Sequence, residues 1–563
     1  MTEPTALPPT LRRNLALLTA QNKELAERIT WPCSSEHVAW TDDGQAAYQV
    51  HRTWLPLSLS AEDAADVALG DGGTHTDVLV FGLGLGEQLE HLLTVLPKAR
   101  IWAWERDPWL LRQVLDRRDW TPALRRGQLK FLLTSDLVEI ARSERPLRIV
   151  EHPLLADVYR LERRLLERRP ERIALLAAGG LFVDDVAAAL AEQGVSAVTW
   201  DLARWSREEL VRVAEQLKPE VAIAINYTHG LAELAAELGV PLKVWEIDPS
   251  TDVLPDLPGG PEGAASQGTR LFTFRKGNVD AFEAAGFAHV EHLPLAANPE
   301  RRKPTELSPE EQERYGADVT FVGSSMVEQG LAFRSRLFAG YAFWKGGDPD
   351  AAMQEAEEAT QRVLDAQRDD LSAYRVPELL AQELRWFVEA YGKDDAVYES
   401  LGGASPDALL GEMAAADKRI TYVANLGQVG IKVWGDAGWD HVAQYGCEVM
   451  GPAGHRDELT AIYGTDAIHV DIGRIYQSNI VTMRVFDVLA CGGFCLAEWS
   501  EGLDELFVIG EELDTYRSLD ELLEKVEHWL ERGPEARRAV GAAGRARVLK
   551  DHTIEARLRH MLR

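Results

Sequence analysis

The feature that most constrains the fold is a recurring alternation of short apolar segments with helix-forming stretches. Parallel strands need connections of a dozen or more residues, usually a helix, so this rhythm predicts buried parallel strands joined by crossover helices. The first series has candidate strands at 77–81, 100–104, 129–133 and 147–151, with a crossover helix over 86–96. The pattern predicts an α/β fold with doubly wound parallel sheets.

Two further series follow the first. Their candidate strands lie at 172–180, 197–201, 220–226, 242–248, 271–276 and 289–299, and then at 318–325, 419–424, 430–436, 467–472 and 494–498. Residues 346–418 are helix-like and too long for a simple crossover, which predicts a helical insertion. We therefore expect an N-terminal Rossmann-like domain over 1–165, a second lobe over 172–300, a linker over 300–317, a third lobe over 318–550 and a C-terminal helix over 551–563.

Charge and hydropathy limit the partners and the location. Sixty Lys and Arg against ninety Asp and Glu give a net charge of −30, which opposes binding to nucleic acid or anionic lipid. No segment approaches the roughly 18 apolar residues of a membrane span, and the N-terminus lacks the apolar stretch of a secretory signal. We expect a cytoplasmic protein with no integral membrane segment.

The four cysteines are too scattered for a disulfide framework or a zinc site and are expected to be buried: Cys33, Cys447, Cys491 and Cys495.

A glycine-rich turn follows the first strand of the first series. It contains Gly82, Gly84 and Gly86, and Glu105 closes the next strand. Glycines let a backbone approach phosphate at a helix N-terminus, and an acid about 20 residues on can bind ribose hydroxyls. The placement suits a dinucleotide or S-adenosylmethionine, but Val80 stands where methyltransferases usually have an acid. A ligand site and a structural turn both stay open.

A second constellation lies in the last third of the chain. A predicted helix carries Arg484 and Asp487 three residues apart, on neighbouring faces, and ends in the turn Gly492-Gly493. A guanidinium can bridge diphosphate oxygens, and a carboxylate can accept two ribose hydroxyls. The alternative is a surface ion pair beside a helix stop.

Residues 475–507, with 514–530 and 551–562, resemble the spore-maturation-protein-type (CgeB-like) glycosyltransferases, relatives of the retaining GT-B class with two Rossmann-like lobes. The resemblance covers roughly 172–563 and includes 244–251, 286–299, 318–325 and 430–440. It implies that Asp487 contacts the nucleotide ribose. Related retaining families have Glu where this chain has Asn479. Residues 10–160 resemble, more weakly, the N-terminal part of motility accessory factors, which are implicated in flagellin glycosylation, through 82–93 and 151–153.

The resemblance implies transfer of a sugar from a UDP-, GDP- or dTDP-sugar to a protein or cell-surface glycan, flagellin-type glycosylation included. The donor-binding residues would be Gly323, Ser324, Gly435, Asp436, Asn479, Arg484, Asp487, Gly492 and Gly493, with no metal and no further cofactor. His229 and Asp248 follow strands of the second lobe, at the edge where open α/β sheets bind ligands. We expect them to serve as general base or acceptor ligands; an exposed His and a turn-capping Asp are the alternatives.

We expect the catalytic cleft to lie between 172–300 and 318–550. We also expect it to close by rotation of the two lobes. Two other functions stay open. One is a methyltransferase that uses Gly82 to Glu105, and the other is a silent scaffold whose N-terminal unit recognises a protein. We expect that unit to bind no S-adenosylmethionine and to recruit the acceptor or support a homodimer.

Overall fold

The computed structural model describes residues 7–42, 44–50, 53–65, 77–142, 147–167, 172–178, 182–202, 205–247, 260–454, 457–477 and 479–563. The chain divides into two compact units. The first comprises Met1–Gly179, Gly194–Ile223 and Glu237–Pro241, and the second comprises Gly180–Gln193, Ala224–Ala236 and Leu242–Arg563.

The chain begins with two helices and a small antiparallel sheet. These elements are α1 (Pro9–Gln21), α2 (Lys23–Thr30), β1 (Val38–Trp40), β2 (Ala46–Val50), β3 (Thr53–Pro56) and α3 (Ala61–Ala65). The strands pair in the order β1-β2-β3. The sequence did not predict this sheet, because its strands are short and carry little apolar periodicity.

A four-stranded parallel sheet follows, in the order β6-β5-β4-β7. Its elements are β4 (Asp77–Phe81), α4 (Glu87–Val95), β5 (Ile101–Trp104), α5 (Pro108–Arg117), α6 (Thr121–Arg125), β6 (Leu129–Leu132), α7 (Thr134–Arg142), β7 (Leu147–Glu151), α8 (Leu155–Val158) and α9 (Arg160–Arg163). All five residues of β4 are buried, as expected for a central strand covered on both faces. The four predicted strands and the first crossover helix are confirmed.

The next sheet has six strands in the order β13-β12-β11-β10-β8-β9. Its elements are β8 (Ile173–Ala177), α10 (Val183–Glu192), β9 (Ser196–Trp200), α11 (Arg207–Leu217), β10 (Val221–Ile225), α12 (Leu231–Glu237), β11 (Leu242–Glu246), α13 (Gly263–Gly268), β12 (Thr269–Thr273), α14 (Val279–Ala284) and β13 (Val290–His292). The pairs β8/β9, β8/β10, β11/β12 and β12/β13 are parallel.

The last sheet also has six parallel strands, in the order β16-β15-β14-β17-β18-β19. Before and within its helical insertion lie α15 (Pro309–Tyr315), β14 (Val319–Val322), α16 (Val327–Lys345), α17 (Pro349–Arg368), α18 (Val376–Glu383), α19 (Arg385–Tyr391), α20 (Asp395–Ser400) and α21 (Pro406–Leu426). After it lie β15 (Ile431–Trp434), β16 (Glu448–Gly451), α22 (Asp457–Tyr463), β17 (Ile468–Asp471), α23 (Met483–Ala490), β18 (Phe494–Glu498), α24 (Glu501–Leu506), β19 (Asp514–Tyr516), α25 (Leu519–Asp551) and α26 (Ile554–Met561).

One strand prediction is wrong. Residues 419–424 are the last turns of the helix α21. A short apolar run is compatible with either a buried strand or a helix, and here the buried positions Ala415, Arg419, Tyr422 and Leu426 recur at helical spacing. The insertion therefore continues to the end of α21, beyond the predicted limit.

The predicted α/β class with parallel, Rossmann-like sheets is confirmed. Strands β16 and β19 were not predicted, because they lie at the edges of the sheet and are short. Among the residues that the structure describes, no helix combines the length and the apolar character needed to cross a membrane.

Candidate functional site

A cavity of about 530 Å³ lies in the second unit, where the loops after β14 and β15 meet the start of α23. Six of the nine predicted donor-binding residues line it: Gly323, Ser324, Gly435, Asp436, Arg484 and Asp487. The rest of its wall includes Arg301 and Arg302 together with the aromatic residues Phe182, Trp434 and Tyr463. The carboxyl ends of parallel strands are the usual place for a ligand in an open α/β sheet.

The loops after β14 and β15 are held against each other by Asp436. Its Oδ2 atom accepts hydrogen bonds from Ser324 Oγ and Ser325 N, both at 2.8 Å, and its Oδ1 atom accepts from Gly438 N at 3.0 Å. Partial burial alone would raise the pKa of this carboxyl, but the bonds from the two serines lower it. Gly435 allows the close approach, since a Cβ there would lie 2.1 Å from Gly323 O. Asp436 therefore organises the loops.

Arg484 is the central cation of the cavity wall. Its Nε donates to Val322 O at 2.7 Å, its guanidinium forms an ion pair with Asp471, and it lies 4.7 Å from the ring centre of Phe321. Burial disfavours its charged form, yet the Asp471 carboxylate keeps the Arg484 pKa above its ordinary value. The NH2 group lies 2.6 Å from the position that a Cβ on Gly323 would take. The guanidinium thus reaches the glycine loop in a fixed orientation.

Two consecutive arginines that the sequence did not single out complete the charged wall. Arg301 NH2 lies 2.6 Å from Asp185 Oδ2, and Arg302 Nε lies 3.0 Å from Asp487 Oδ2. Burial raises the pKa of Asp185, while Asn298 and Arg301 oppose that rise. In the sequence these arginines belong to a polar segment read as a linker, and no motif marks them. Their only sequence signal is that, with Lys303, they form a run of three cations in a strongly acidic chain.

The remaining predicted donor residues lie elsewhere. Asn479 borders a separate cavity of about 220 Å³ with Phe274, Lys276 and His292. Gly492 and Gly493 pack against α25, because a Cβ on Gly541 would lie 2.4 Å from Gly492 O and 2.8 Å from Gly493 O. The structure therefore gives the Gly-Gly turn a packing contact, and it does not place the turn in the wall of the larger cavity.

The predicted acceptor-side residues are only partly described. His229 is exposed and follows β10; its ring lies 5.8 Å from that of Tyr227, in an edge arrangement. The Tyr227 amide donates to the buried Glu246 carboxylate at the end of β11. Asp248 lies outside the described residues.

The N-terminal glycine turn is occupied by the protein's own side chains. Gly82, Gly84 and Gly86 have φ angles of +75°, +54° and +91°. A Cβ on Gly84 would lie 2.6 Å from His152 Nε2. Glu105 Oε2 accepts from Leu83 N at 2.7 Å, and its Oε1 accepts from the Tyr159 hydroxyl. Burial raises the pKa of Glu105 to about 7. These contacts favour the structural turn over the ligand site.

The next observations concern possible metal ligands and the cysteines in the described part of the chain. Within it, no group of three or more His, Cys, Asp or Glu side chains is arranged to hold a metal ion. The four cysteines are free, and Cys447, Cys491 and Cys495 are buried as expected, whereas Cys33 is half-buried.

Residues 418–563 match a protein-family model described as glycosyl transferase-like, and ten of the sixteen residues that line the cavity lie in this segment. No curated protein matches the chain. The resemblance to the spore-maturation family stays a prediction.

Several solved structures match the chain. A glycosyltransferase from Rickettsia africae matches with 9% identity and a TM-score of 0.40, covering 69% of this chain and 97% of its own. HepE from Anabaena, in complex with UDP and glucose, matches with 13% identity and a TM-score of 0.38, covering 69% and 98%. The MAf glycosyltransferase from Magnetospirillum magneticum matches with 12% identity and a TM-score of 0.20, covering 92% and 99%.

Proposed function

We propose that the protein is a glycosyltransferase that moves a sugar from a nucleoside-diphosphate sugar to an acceptor, with the donor in the 530 Å³ cavity. The observation that carries this proposal is the convergence of Arg301, Arg302 and Arg484 on one cavity in a chain whose net charge is −30. The overall field repels an anionic ligand, so local cations must supply the attraction. The glycosyl transferase-like match over 418–563 supports the same reading.

The arginines suit a diphosphate leaving group. Negative charge grows on the leaving diphosphate as the bond to the sugar breaks, and fixed guanidinium donors stabilise that charge without reorganising. Arg484 is held by Val322 O and Asp471, and Arg302 is held by Asp487. We propose that these cations take the role that a divalent metal has in other glycosyltransferases, with no metal required.

The nucleoside would occupy the less charged part of the cavity. Trp434, Tyr463 and Met483 line it and offer ring faces and a polarizable side chain against which a base can pack. We propose that Asp487 binds the ribose hydroxyls, as the family resemblance implies, while it also orients Arg302. UDP, GDP and dTDP sugars are the donor candidates.

The acceptor side is proposed on the second lobe. His229 and Asp248 would bind or deprotonate the acceptor hydroxyl, and closure between 172–300 and 318–550 would exclude water that otherwise hydrolyses the donor. We propose a protein or cell-surface glycan acceptor in the cytoplasm. The N-terminal resemblance to motility accessory factors supports a flagellin-type protein, recruited by that unit or by a homodimer.

The test is calorimetric titration of the full chain with UDP, GDP, dTDP and S-adenosylmethionine. We expect at least one nucleoside diphosphate to bind, and Arg484→Lys and Arg484→Ala to weaken it about tenfold or more, the scale of a lost charged hydrogen bond. Arg314→Ala is the matched control, because Arg314 is an exposed arginine of the same compact unit that pairs with Glu458 and does not line the cavity. Binding of S-adenosylmethionine alone, or full nucleotide affinity in folded Arg484 variants, would falsify the proposal.

A further inference from the structure

Helix α21, the last helix of the insertion, carries three charged side chains that are almost fully buried. Glu412, Lys418 and Arg419 are 2%, 2% and 8% exposed. Glu412 and Arg419 are seven residues apart, close to two helical turns, so they share a face. Burying charges is unfavourable unless each is paired and hydrogen-bonded, so their partners show what the helix holds in place.

Arg419 joins two loops of the donor-side sheet. Its NH1 group donates to Ser324 O at 2.8 Å, and its NH2 group donates to Ile472 O at 3.2 Å. Ser324 follows β14 and Ile472 follows β17, two strands that pair in the sheet. The fork geometry of a guanidinium can satisfy both carbonyls at once, whereas the single nitrogen of a lysine lacks that geometry.

The glycine loop of the cavity is fixed at three consecutive carbonyls. Val322 O accepts from Arg484 Nε at 2.7 Å, Gly323 O accepts from Trp439 Nε1 at 2.8 Å, and Ser324 O accepts from Arg419. In a trans peptide the C=O and the next N–H point in opposite directions, so these bonds also fix the amides of residues 323–325.

The backbone amides of residues 323–325 differ in their hydrogen-bond acceptors. The Gly323 amide donates to Trp434 O at 2.9 Å, and the Ser325 amide donates to Asp436 Oδ2 at 2.8 Å. Within the described residues, no acceptor is bonded to the Ser324 amide between them. Ser324 lines the cavity, and its N–H belongs to the same peptide as Gly323 O, which Trp439 holds, so the direction of this donor is fixed.

The other two buried charged side chains of α21, Lys418 and Glu412, contact neighbouring loops. Lys418 forms an ion pair with Glu498 at the end of β18, and Glu498 Oε2 accepts from Gly473 N at 3.1 Å. Glu412 accepts from Arg474 NH1 at 3.2 Å. One helix therefore contacts, through buried polar groups, the loops at the carboxyl ends of β14, β17 and β18.

We infer that α21 is a brace for the donor cavity and that Arg419 is a positioning residue. By holding Ser324 O it fixes the loop in which the Ser324 amide, itself oriented through Gly323 O by Trp439, is left to bind a phosphate oxygen. The brace itself follows from the contacts of α21; only its effect on ligand binding rests on the proposed function. The helical insertion is then part of the binding machinery, because its last helix sets the geometry of the loops that line the cavity.

The test compares Arg419→Lys, which keeps the charge, and Arg419→Met in the full chain with Asp417→Asn. Asp417 neighbours Lys418 on α21 but pairs with Arg368 of α17, 2.7 Å away, so its variant disturbs the same helix without touching the loops. Peptide-resolved hydrogen exchange is measured over 322–327 and 472–477, together with the unfolding temperature. UDP, GDP, dTDP and inorganic pyrophosphate are titrated in parallel.

We expect both Arg419 variants to speed exchange in the two loops at least fivefold, with other donor-lobe peptides near wild type, and to weaken nucleotide binding about tenfold. The Arg419→Lys variant should show the smaller effect, and its exchange and binding data test the inference if the Arg419→Met variant does not fold. Unchanged loop exchange, or exchange that rises evenly over the whole lobe, would overturn the inference. If the wild-type chain binds no nucleotide, the proposed function fails, and the exchange data still decide the brace.

Discussion

Arg302 Nε lies 3.0 Å from Asp487 Oδ2, and both side chains border the same cavity. The Arg302 side chain is 2% exposed and that of Asp487 is 10% exposed, so the pair is buried in the wall. The family resemblance gives Asp487 a contact with the donor ribose, and the structure adds a second contact, to the arginine that precedes the third lobe. Asp487 thus links two groups of the proposed donor site.

Replacing Asp487 tests this double contact. Asp487→Ala removes the carboxylate that pairs with the buried Arg302 charge, which should destabilise the protein by about 3–5 kcal/mol. It should also weaken nucleotide binding by about 1–3 kcal/mol, because hydrogen bonds to a charged group are lost. Denaturant unfolding and calorimetry measure the two effects. A folded variant with wild-type donor affinity would remove Asp487 from the site.

The proposed roles of Asp248 and His229 are tested by measuring the rate of sugar transfer and the affinity for the nucleotide separately. Asp248→Asn and His229→Ala should lower the transfer rate by about 10²-fold or more if either group acts as a general base. Their nucleotide affinity should stay within about twofold of wild type, since His229 does not line the donor cavity. Transfer rates with a purified protein acceptor, compared with calorimetry, check this. Full activity of both variants would contradict the proposed roles.

The Gly-Gly turn after α23 offers a test of packing against ligand binding. A Cβ on Gly493 would lie 2.4 Å from Tyr463 O, so Gly493→Ala should cost about 1–3 kcal/mol of stability through overpacking. Nucleotide affinity, measured below the unfolding transition, should change little. A large loss of affinity at unchanged stability would instead support the sequence-based prediction that this turn binds the diphosphate.

The N-terminal turn should make stability depend on pH. Burial raises the Glu105 pKa from 4.5 to about 7, so the folded state holds this proton more tightly than the unfolded chain. The resulting stabilisation is fully present below pH 4.5 and is lost as the pH rises through about 7, by up to roughly 3 kcal/mol. Glu105→Gln should flatten this part of the curve.

The difference in the free energy of unfolding between wild type and Glu105→Gln, measured at each pH, separates the contribution of Glu105 from those of the other carboxylates. Unfolding is followed by denaturant titration at a series of pH values, with hydrogen-exchange pulses at one fixed pH over peptides that cover 77–86. Parallel pH profiles of the two proteins would contradict the buried, proton-binding state of Glu105. Micromolar S-adenosylmethionine binding that Glu105→Gln abolishes would show that the turn is a ligand site.

Much of the fold could be predicted because its signals are local. Apolar runs such as 77–81, 221–225 and 468–471 are buried strands, and their turn residues and crossover lengths are visible in the sequence. The glycine loop at Gly323 and the segment at Asp436 could likewise be predicted to meet, because both follow parallel strands and such strand ends share one edge of a sheet.

What the sequence by itself determined, then, is the α/β class, most of the strands and the edge of the sheet at which six of the predicted donor-binding residues gather. The tertiary structure alone decided which charges pair. The partners Asp185 and Arg301, and Ser324 and Arg419, are far apart along the chain, and no spacing rule joins them. It also decided that residues 419–424 are helical and that the Glu105 carboxylate accepts a hydrogen bond from the backbone of the N-terminal glycine turn. Burial and hydrogen bonding of such groups depend on distant segments, which local sequence cannot report.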